Sequence, residues 1–311
     1  MSFNKKLFIK LFIAAILISH TGFAQTVTIT IGTGTSTNTS TSYPAPYGNY
    51  YWGAKNQFII RASELSAAGM CTGLIYSIGF NVAVTNSGHG TCGMPMPLTD
   101  FEIKLKNTAQ SNTTTTFDDV GLTTVWGPQT FTETAGWNIH TFGTAFNWDG
   151  TSNLLIETCF NNTCFSRNAE MYYTPTAFNS SLYHRADASG ICSSNTTGSS
   201  TNQLNRPNMQ FEYAPPIVHD VEITANLPVP LCGGTAGHQF TATFDAGFSY
   251  SWTGPQGAII SGGNTNTITV DLDIYAQSGD IIVTAVHTCG SIKKDSFDID
   301  PDPAPSPAGP I

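Results

Sequence analysis

The stretch FEIKLKN, residues 101–107, sets Phe101, Ile103 and Leu105 on one side of an extended chain. Successive side chains of a strand point to opposite faces, so this period of two means a strand with one buried face. FNVAV (80–84) repeats the pattern with Phe80, Val82 and Val84, and TVTITIG (26–32) alternates Thr with Val or Ile. Gly, Pro, Asn and Ser separate these runs, which marks antiparallel sheet joined by turns. LLIETCF (154–160), entered after a Trp148-Asp149-Gly150 turn, is apolar on both faces and reads as a central strand. The best helical segment is a turn or two at SELSAAG (63–69), with Ser63 capping its start and Gly69 taking the left-handed position at its end. The expected fold class is all-β.

The chain has 311 residues, enough for two domains with a core each. A first β-sandwich, expected to be jelly-roll-like, spans residues 25–214 and closes at RPNMQFEYAPP (206–216). Pro215 and Pro216 form the linker, because proline restricts the chain and cannot donate to a sheet ladder. A second sandwich over 217–300 follows from short strands at VHDVEITA, HQFTATF, YSWTGP, NTITVDL, DIIVTAVHT and SFDID. Cys232, Trp252 and Cys289 stand in the order of an immunoglobulin-like inter-sheet disulfide packed on a tryptophan. Two cysteines that merely flank a buried Trp252 are the alternative. Residues 301–311 read as a Pro-rich linker leading into a continuation of the chain.

Charged residues make up 11% of the chain and the net charge is −9. Soluble domains usually carry about 25% charge, so this surface is polar but mostly uncharged. With no basic run to neutralise phosphates, nucleic acid is not an expected partner, and anionic membrane surfaces are disfavoured for the same reason. Lys5, Lys6 and Lys10 precede an apolar core from Leu11 to Ile18 and small residues ending at Ala24. That order predicts a signal peptide over residues 1–24, cleaved before Gln25, with no membrane insertion afterwards and a secreted or outer-surface destination. All seven cysteines follow it, in a compartment that permits disulfides, and the odd number leaves one thiol unpaired in a monomer.

SYPAPYGNYYWGAKNQFIIRASEL, GWNIHTFGTAFNWDGTSNLLIETCF, SLYHRADASGICSS and RPNMQFEY together resemble the N-terminal β-sandwich module of large secreted proteins from gliding Gram-negative bacteria that use type IX secretion. LCGGTAGHQFTATFDAGFSYSWTGPQG and VTAVHTCGS resemble the PKD-like, immunoglobulin-like repeats of the same proteins. The WDFGDG type of motif is replaced by SWTGP, so that second resemblance is one of architecture. The resemblance implies an adhesin-like, cell-surface organisation, and it favours a bond between Cys159 and Cys192. Cys71 and Cys92 would then close the excursion NSGHGTCGMPMP and leave Cys164 free, although spacing alone does not determine connectivity.

No HExxH, GxSxG or GxxxxGK[ST] motif is present. His89, His140, His184, His219, His238 and His287 are scattered over different segments and read as ordinary sheet or surface residues. Asp118 with Asp119, and Asp298 with Asp300 and Asp302, offer oxygen ligands for calcium but lack the density of a calcium loop, and read as solvated turns. The expectation is therefore a non-enzyme with no catalytic residues, no metal and no cofactor. Tyr43, Tyr47, Tyr50, Tyr51 and Trp52 crowd one stretch, with Asn49 among them. Aromatic faces with nearby amides suit a sugar ring, but aromatics beside a strand such as QFII are more often core or inter-loop packing. The expected compromise buries Trp52 and Phe58 and leaves some of Tyr43, Tyr47 and Tyr50 at the surface as ligand-binding residues. The partner would be a surface glycan or another extracellular protein, with an accessory carbohydrate-binding module of a larger hydrolase as the alternative.

Overall fold

The computed structural model describes residues 26–193, 197–198, 203–216, 218–245 and 247–303. The expected signal segment and residues 304–311 of the Pro-rich tail lie outside the described residues. The first domain contains β1 (Val27–Ile31), β2 (Ser36–Thr37), β3 (Gly53–Ile60), β4 (Gly73–Val84), β5 (Leu98–Thr108) and β6 (Thr123–Phe131). It continues with β7 (Gly136–Trp148), β8 (Asn153–Asn161), β9 (Glu170–Pro175), β10 (Ser181–Ala186), β11 (Asn205–Pro207) and β12 (Met209–Ala214). Among the described residues one α-helix, α1 (Ala62–Ala67), interrupts them after β3.

Two sheets face each other. One has β4 at its centre, flanked by β12 and β7, with β1 beyond β12 and β9 paired to the last residues of β4. The other runs β10-β3-β8-β5-β6, antiparallel throughout. Phe101, Ile103 and Leu105 of β5 point between the sheets with Phe58 and Ile60 of β3, Ile156 and Phe160 of β8, and Phe80 and Val82 of β4. The alternation in FEIKLKN thus marks the core face, whereas Val84, at the end of its strand, is 50% exposed. β8 lies between β3 and β5, and every residue from Leu154 to Phe160 is buried.

The helix starts differently from the sequence expectation. Arg61 precedes its first turn, the Glu64 carboxylate accepts the Arg61 N–H at 2.9 Å, and Asn153 Oδ1 accepts the Ala62 N–H at 2.8 Å. Ser63 therefore sits inside the helix rather than capping it, because side chains from three residues on and from β8 already satisfy the free N–H groups. Gly69 does take the left-handed conformation after the helix, at φ +87°.

The second domain is a sandwich of a four-stranded sheet on a three-stranded one. Its strands are β13 (Ile223–Ala225), β14 (His238–Ala242), β15 (Phe248–Thr253), β16 (Ala258–Ser261), β17 (Thr267–Leu272), β18 (Gly279–His287) and β19 (Ile292–Ile299). The sheet orders are β13-β14-β17-β16 and β15-β18-β19. Trp252 lies in the core with Phe240, Ile268, Val270, Ile281 and Val283, and its indole N–H donates to the Thr265 carbonyl at 2.9 Å.

The disulfides overturn two expected pairings. Cys289 is bonded to Cys71 of the first domain, with Cα atoms 5.4 Å apart, and Cys232 is free. Cys289 occupies the turn before β19, whereas Cys232 bridges to Asp302 beyond the far end of the same strand. The eight residues of β19 span about 26 Å at ~3.3 Å per residue, and the two cysteines lie beyond its opposite ends, well outside bonding reach. Cys92 pairs with Cys164 rather than with Cys71, with Cα atoms 5.3 Å apart. The turn carrying Cys92 is docked on the segment after Cys164, through Cys92 N–H to Phe165 O at 3.1 Å and Phe165 N–H to Thr91 Oγ1 at 3.2 Å. Cys159 of β8 and Cys192 form the third bond.

Candidate functional site: an aromatic edge over a fixed core

The aromatic stretch divides sharply into interior and edge. Tyr47 is 1% exposed and lies between the sheets, with ring centroids 5.9 Å from Phe80, 5.5 Å from Phe101 and 5.1 Å from Phe131. Tyr43 stacks on Tyr183 at 5.1 Å, and its hydroxyl donates to the Gly48 carbonyl at 3.2 Å. Burial pushes both phenols well above the usual tyrosine range, so both are neutral donors; the Arg185 charge opposes this only in part at Tyr43. Asn49 is fully buried, and its amide oxygen and nitrogen have no hydrogen-bond partner among the described residues. Of Tyr43, Tyr47, Tyr50, Tyr51 and Asn49, the residues considered for ligand binding, Tyr43, Tyr47 and Asn49 are thus removed from solvent. The loop entering β3 turns all three inward, and Tyr43 and Tyr47 join the core between the sheets.

Tyr50 and Tyr51 remain half-buried at the rim, edge to face at 5.6 Å. Trp52, expected in the core, is also half-buried, and its backbone N–H donates to Asp187 Oδ1 at 3.2 Å. Two residues with no signal in the aromatic stretch complete this edge. Phe165 meets Tyr50 at 6.1 Å, and the Arg185 guanidinium lies 4.7 Å from the Tyr51 ring centroid and 5.0 Å from that of Tyr43. The backbone beneath is held firmly. Tyr50 N–H donates to Asn168 Oδ1 at 2.9 Å, Asn168 Nδ2 donates to Ser42 O at 2.8 Å, and Ser166 N–H donates to Asn49 O at 2.7 Å. Two loops and strand β10 therefore bring Tyr50, Tyr51, Trp52, Phe165 and Arg185 to one edge of the domain, an arrangement of ring faces and one cation suited to stacking on an apolar ring face.

The outward face of the β10-β3-β8-β5-β6 sheet carries a second cluster. Glu157 of β8 accepts from Gln57 Nε2 at 2.8 Å and Lys104 Nζ at 3.3 Å, with Lys55 Nζ at 3.6 Å. Burial raises the Glu157 carboxyl above its ordinary range against the pull of Lys55. Lys55 also pairs with Asp119, and Lys106 with Asp118 at 2.7 Å, so the two aspartates considered for calcium are held by lysines instead. Gln57 exchanges hydrogen bonds with the backbone of Asp118 in both directions, at 3.1 and 3.0 Å. A cavity of about 240 Å³ opens beside this network, but its charges are paired with one another, and their evident effect is to fasten the 113–119 loop across the sheet. Among the described residues no group of three or more His, Cys, Asp or Glu is placed to hold a metal ion.

Residues 216–299 match the PKD-like domain family. No curated protein matches the chain. A PKD-like domain and three disulfides among the described residues fit an extracellular protein, and no helix described is long and apolar enough to cross a membrane. The PKD-like domain meets the first domain at Cys71–Cys289. A cavity of about 510 Å³ there is lined by Ser66, Met70, Thr72, Asp149 and Thr288 together with the disulfide. Asp149 is occupied by its own turn, accepting from Thr151 and Ser152, which lowers its carboxyl below the usual range despite slight burial.

Proposed function

We propose that the chain is an exported, non-catalytic binding and display protein whose first domain recognises a glycan through its aromatic edge. The PKD-like domain then serves as the spacer that carries this head. The observation behind the reading is the convergence of Tyr50, Tyr51 and Trp52 of one loop with Phe165 of another, all half-exposed, on a backbone fixed by Asn168 and Ser166. Stacking of ring C–H groups on aromatic faces needs such a prearranged surface and no titratable chemistry. The non-catalytic reading draws support from two perturbed groups outside the edge: His140 is sealed in the core and Glu157 is tied into ion pairs. Export by a cleaved signal over residues 1–24, and passage to the cell surface by the type IX route that the sequence resemblance implies, belong to the same proposal.

The test is a glycan-array screen of residues 25–311 with Tyr50→Ala, Tyr51→Ala and Trp52→Ala variants. A glycan bound by the parent and weakened about tenfold in each variant, a loss of about 1.4 kcal/mol per residue, supports the reading. A parent that binds no glycan, or variants that bind as the parent does, would overturn it.

A further inference from the structure

Two covalent routes join the domains. One is the backbone through Pro215 and Pro216, and the other is Cys71–Cys289, which closes 218 residues of sequence into a loop. Little else ties them. No strand of one domain pairs with a strand of the other among the described residues, and the two hydrophobic clusters are separate, the first ending at Tyr213 and the second beginning at Val221.

We propose that Cys71–Cys289 is a tension shunt: a pull between the first domain and residue 303 runs along β19 and through the disulfide, leaving β13 to β18 outside the path. Cys289 lies in the turn immediately before β19, and residue 303 lies just past its other end. β19 is paired with β18 along its whole length, from Val286↔Ile292 to Gly279↔Ile299, so its two ends are the two ends of the domain. A strand is already close to the length limit of a chain, rising about 3.3 Å per residue against a maximum near 3.6 Å. Pulled between Cys289 and residue 303, this segment gains on the order of 10 Å and then is taut. The strands β13 to β18 belong to the loop that the disulfide closes, so unfolding them lengthens nothing.

The other end of the bond is equally well placed. Cys71 leaves the corner after α1, where Met70 N–H donates to Leu65 O at 2.9 Å and the Tyr213 hydroxyl donates to Gly69 O at 3.0 Å. It leads into β4, which is hydrogen-bonded to β12 on one side and β7 on the other. Tension therefore enters the first domain at the start of a central strand. Without the disulfide it would enter at Ala214, and unfolding the PKD-like domain would release residues 216–303, about 300 Å of chain at ~3.5 Å per residue. The inference concerns the joint and stands apart from the glycan reading, whichever ligand the head takes.

Single-molecule force spectroscopy on residues 25–311, with handles at the two ends, tests it. The oxidised protein can extend only through residues 25–71 and 289–311, so no unfolding step should exceed roughly 250 Å. The Cys71→Ser/Cys289→Ser double variant should gain a step of about 300 Å for the PKD-like domain. If that variant does not fold, the oxidised protein folded first and then treated with a dithiol, with opening of the bond confirmed by mass spectrometry, must gain the same step. A long step in the oxidised protein, or an unchanged pattern after reduction, would overturn the shunt.

Discussion

The Tyr47 hydroxyl and His140 Nε2 lie 2.6 Å apart in the middle of the first domain's core. Burial keeps the phenol protonated, so Tyr47 donates and the imidazole accepts, which puts the imidazole proton on Nδ1. That nitrogen has no partner among the described residues, and the ring is enclosed by Trp126 at 4.5 Å, Phe131 at 4.7 Å and Phe101 at 5.5 Å. A polar pair from the aromatic loop and β7 is thereby built into an apolar core, and both members must stay neutral.

This pairing makes the domain sensitive to acid. Burial lowers His140 from its ordinary 6.5 to about 3. Between these values the unfolded chain takes up a proton that the folded one refuses, so the stability His140 contributes is complete above pH 6.5 and declines as pH falls toward 3. The slope approaches about 1.4 kcal/mol per pH unit, or about 2 kcal/mol lost by pH 5. Melting temperatures of the parent and His140→Gln between pH 4 and 8 should show a shallower acid-side decline in the variant. Parallel curves would refute the assignment.

The same loop separates stability from recognition. Tyr47→Ala should cost about 3 to 5 kcal/mol, the range for truncating a buried aromatic. Tyr47→Phe keeps the ring but strands His140 Nε2, for about 1 to 3 kcal/mol. Tyr50→Ala and Tyr51→Ala, at the half-exposed rim, should stay within about 1 kcal/mol of the parent in chemical denaturation. A Tyr51→Ala loss as large as that of Tyr47→Ala would place the rim in the core.

These residues also show how far the sequence could be read. FEIKLKN betrays its buried face because a strand forces a period of two, and LLIETCF its central place because both of its faces are covered. The loop 43–52 has no period, so nothing in the order of its aromatics separates Tyr47 from Tyr51; that depends on how the loop enters β3. Phe165 and Arg185 reach the same edge from segments more than 100 residues away in sequence. The Cys232, Trp252, Cys289 order fits a familiar inter-sheet bond, yet bonding requires knowing which end of the sandwich each cysteine occupies. Two sulfurs on opposite ends of β19 are far apart however suggestive their spacing.

The cysteine arrangement is directly countable. The unreduced protein should yield one alkylatable thiol per chain, at half-buried Cys232, reacting more slowly when folded than in denaturant. Peptide mapping should recover Cys71 linked to Cys289 and Cys92 linked to Cys164. Recovery of a Cys232–Cys289 peptide would overturn the inter-domain bond and the tension path that depends on it.

Arg206 and Glu64 provide the last test, because they fasten α1 to the sheets. Arg206 is 2% exposed and donates to Ile59 O at 2.8 Å and to both Glu64 carboxylate oxygens, at 3.0 and 2.7 Å. Burial works to raise the Glu64 carboxyl, but hydrogen bonding and charge from Arg206 outweigh it and hold the group below its ordinary 4.5. Its contribution is therefore present above pH 4.5 and lost as pH falls through the lowered value, a window more acidic than that of His140. Glu64→Ala leaves the guanidinium buried with only one carbonyl for company and should cost about 3 to 5 kcal/mol. Replacing both partners, as Arg206→Met with Glu64→Ala, removes the stranded charge and should recover part of that loss. Urea denaturation of the two single variants and the double variant measures the coupling; additive losses would mean that the pair does not hold the helix in place.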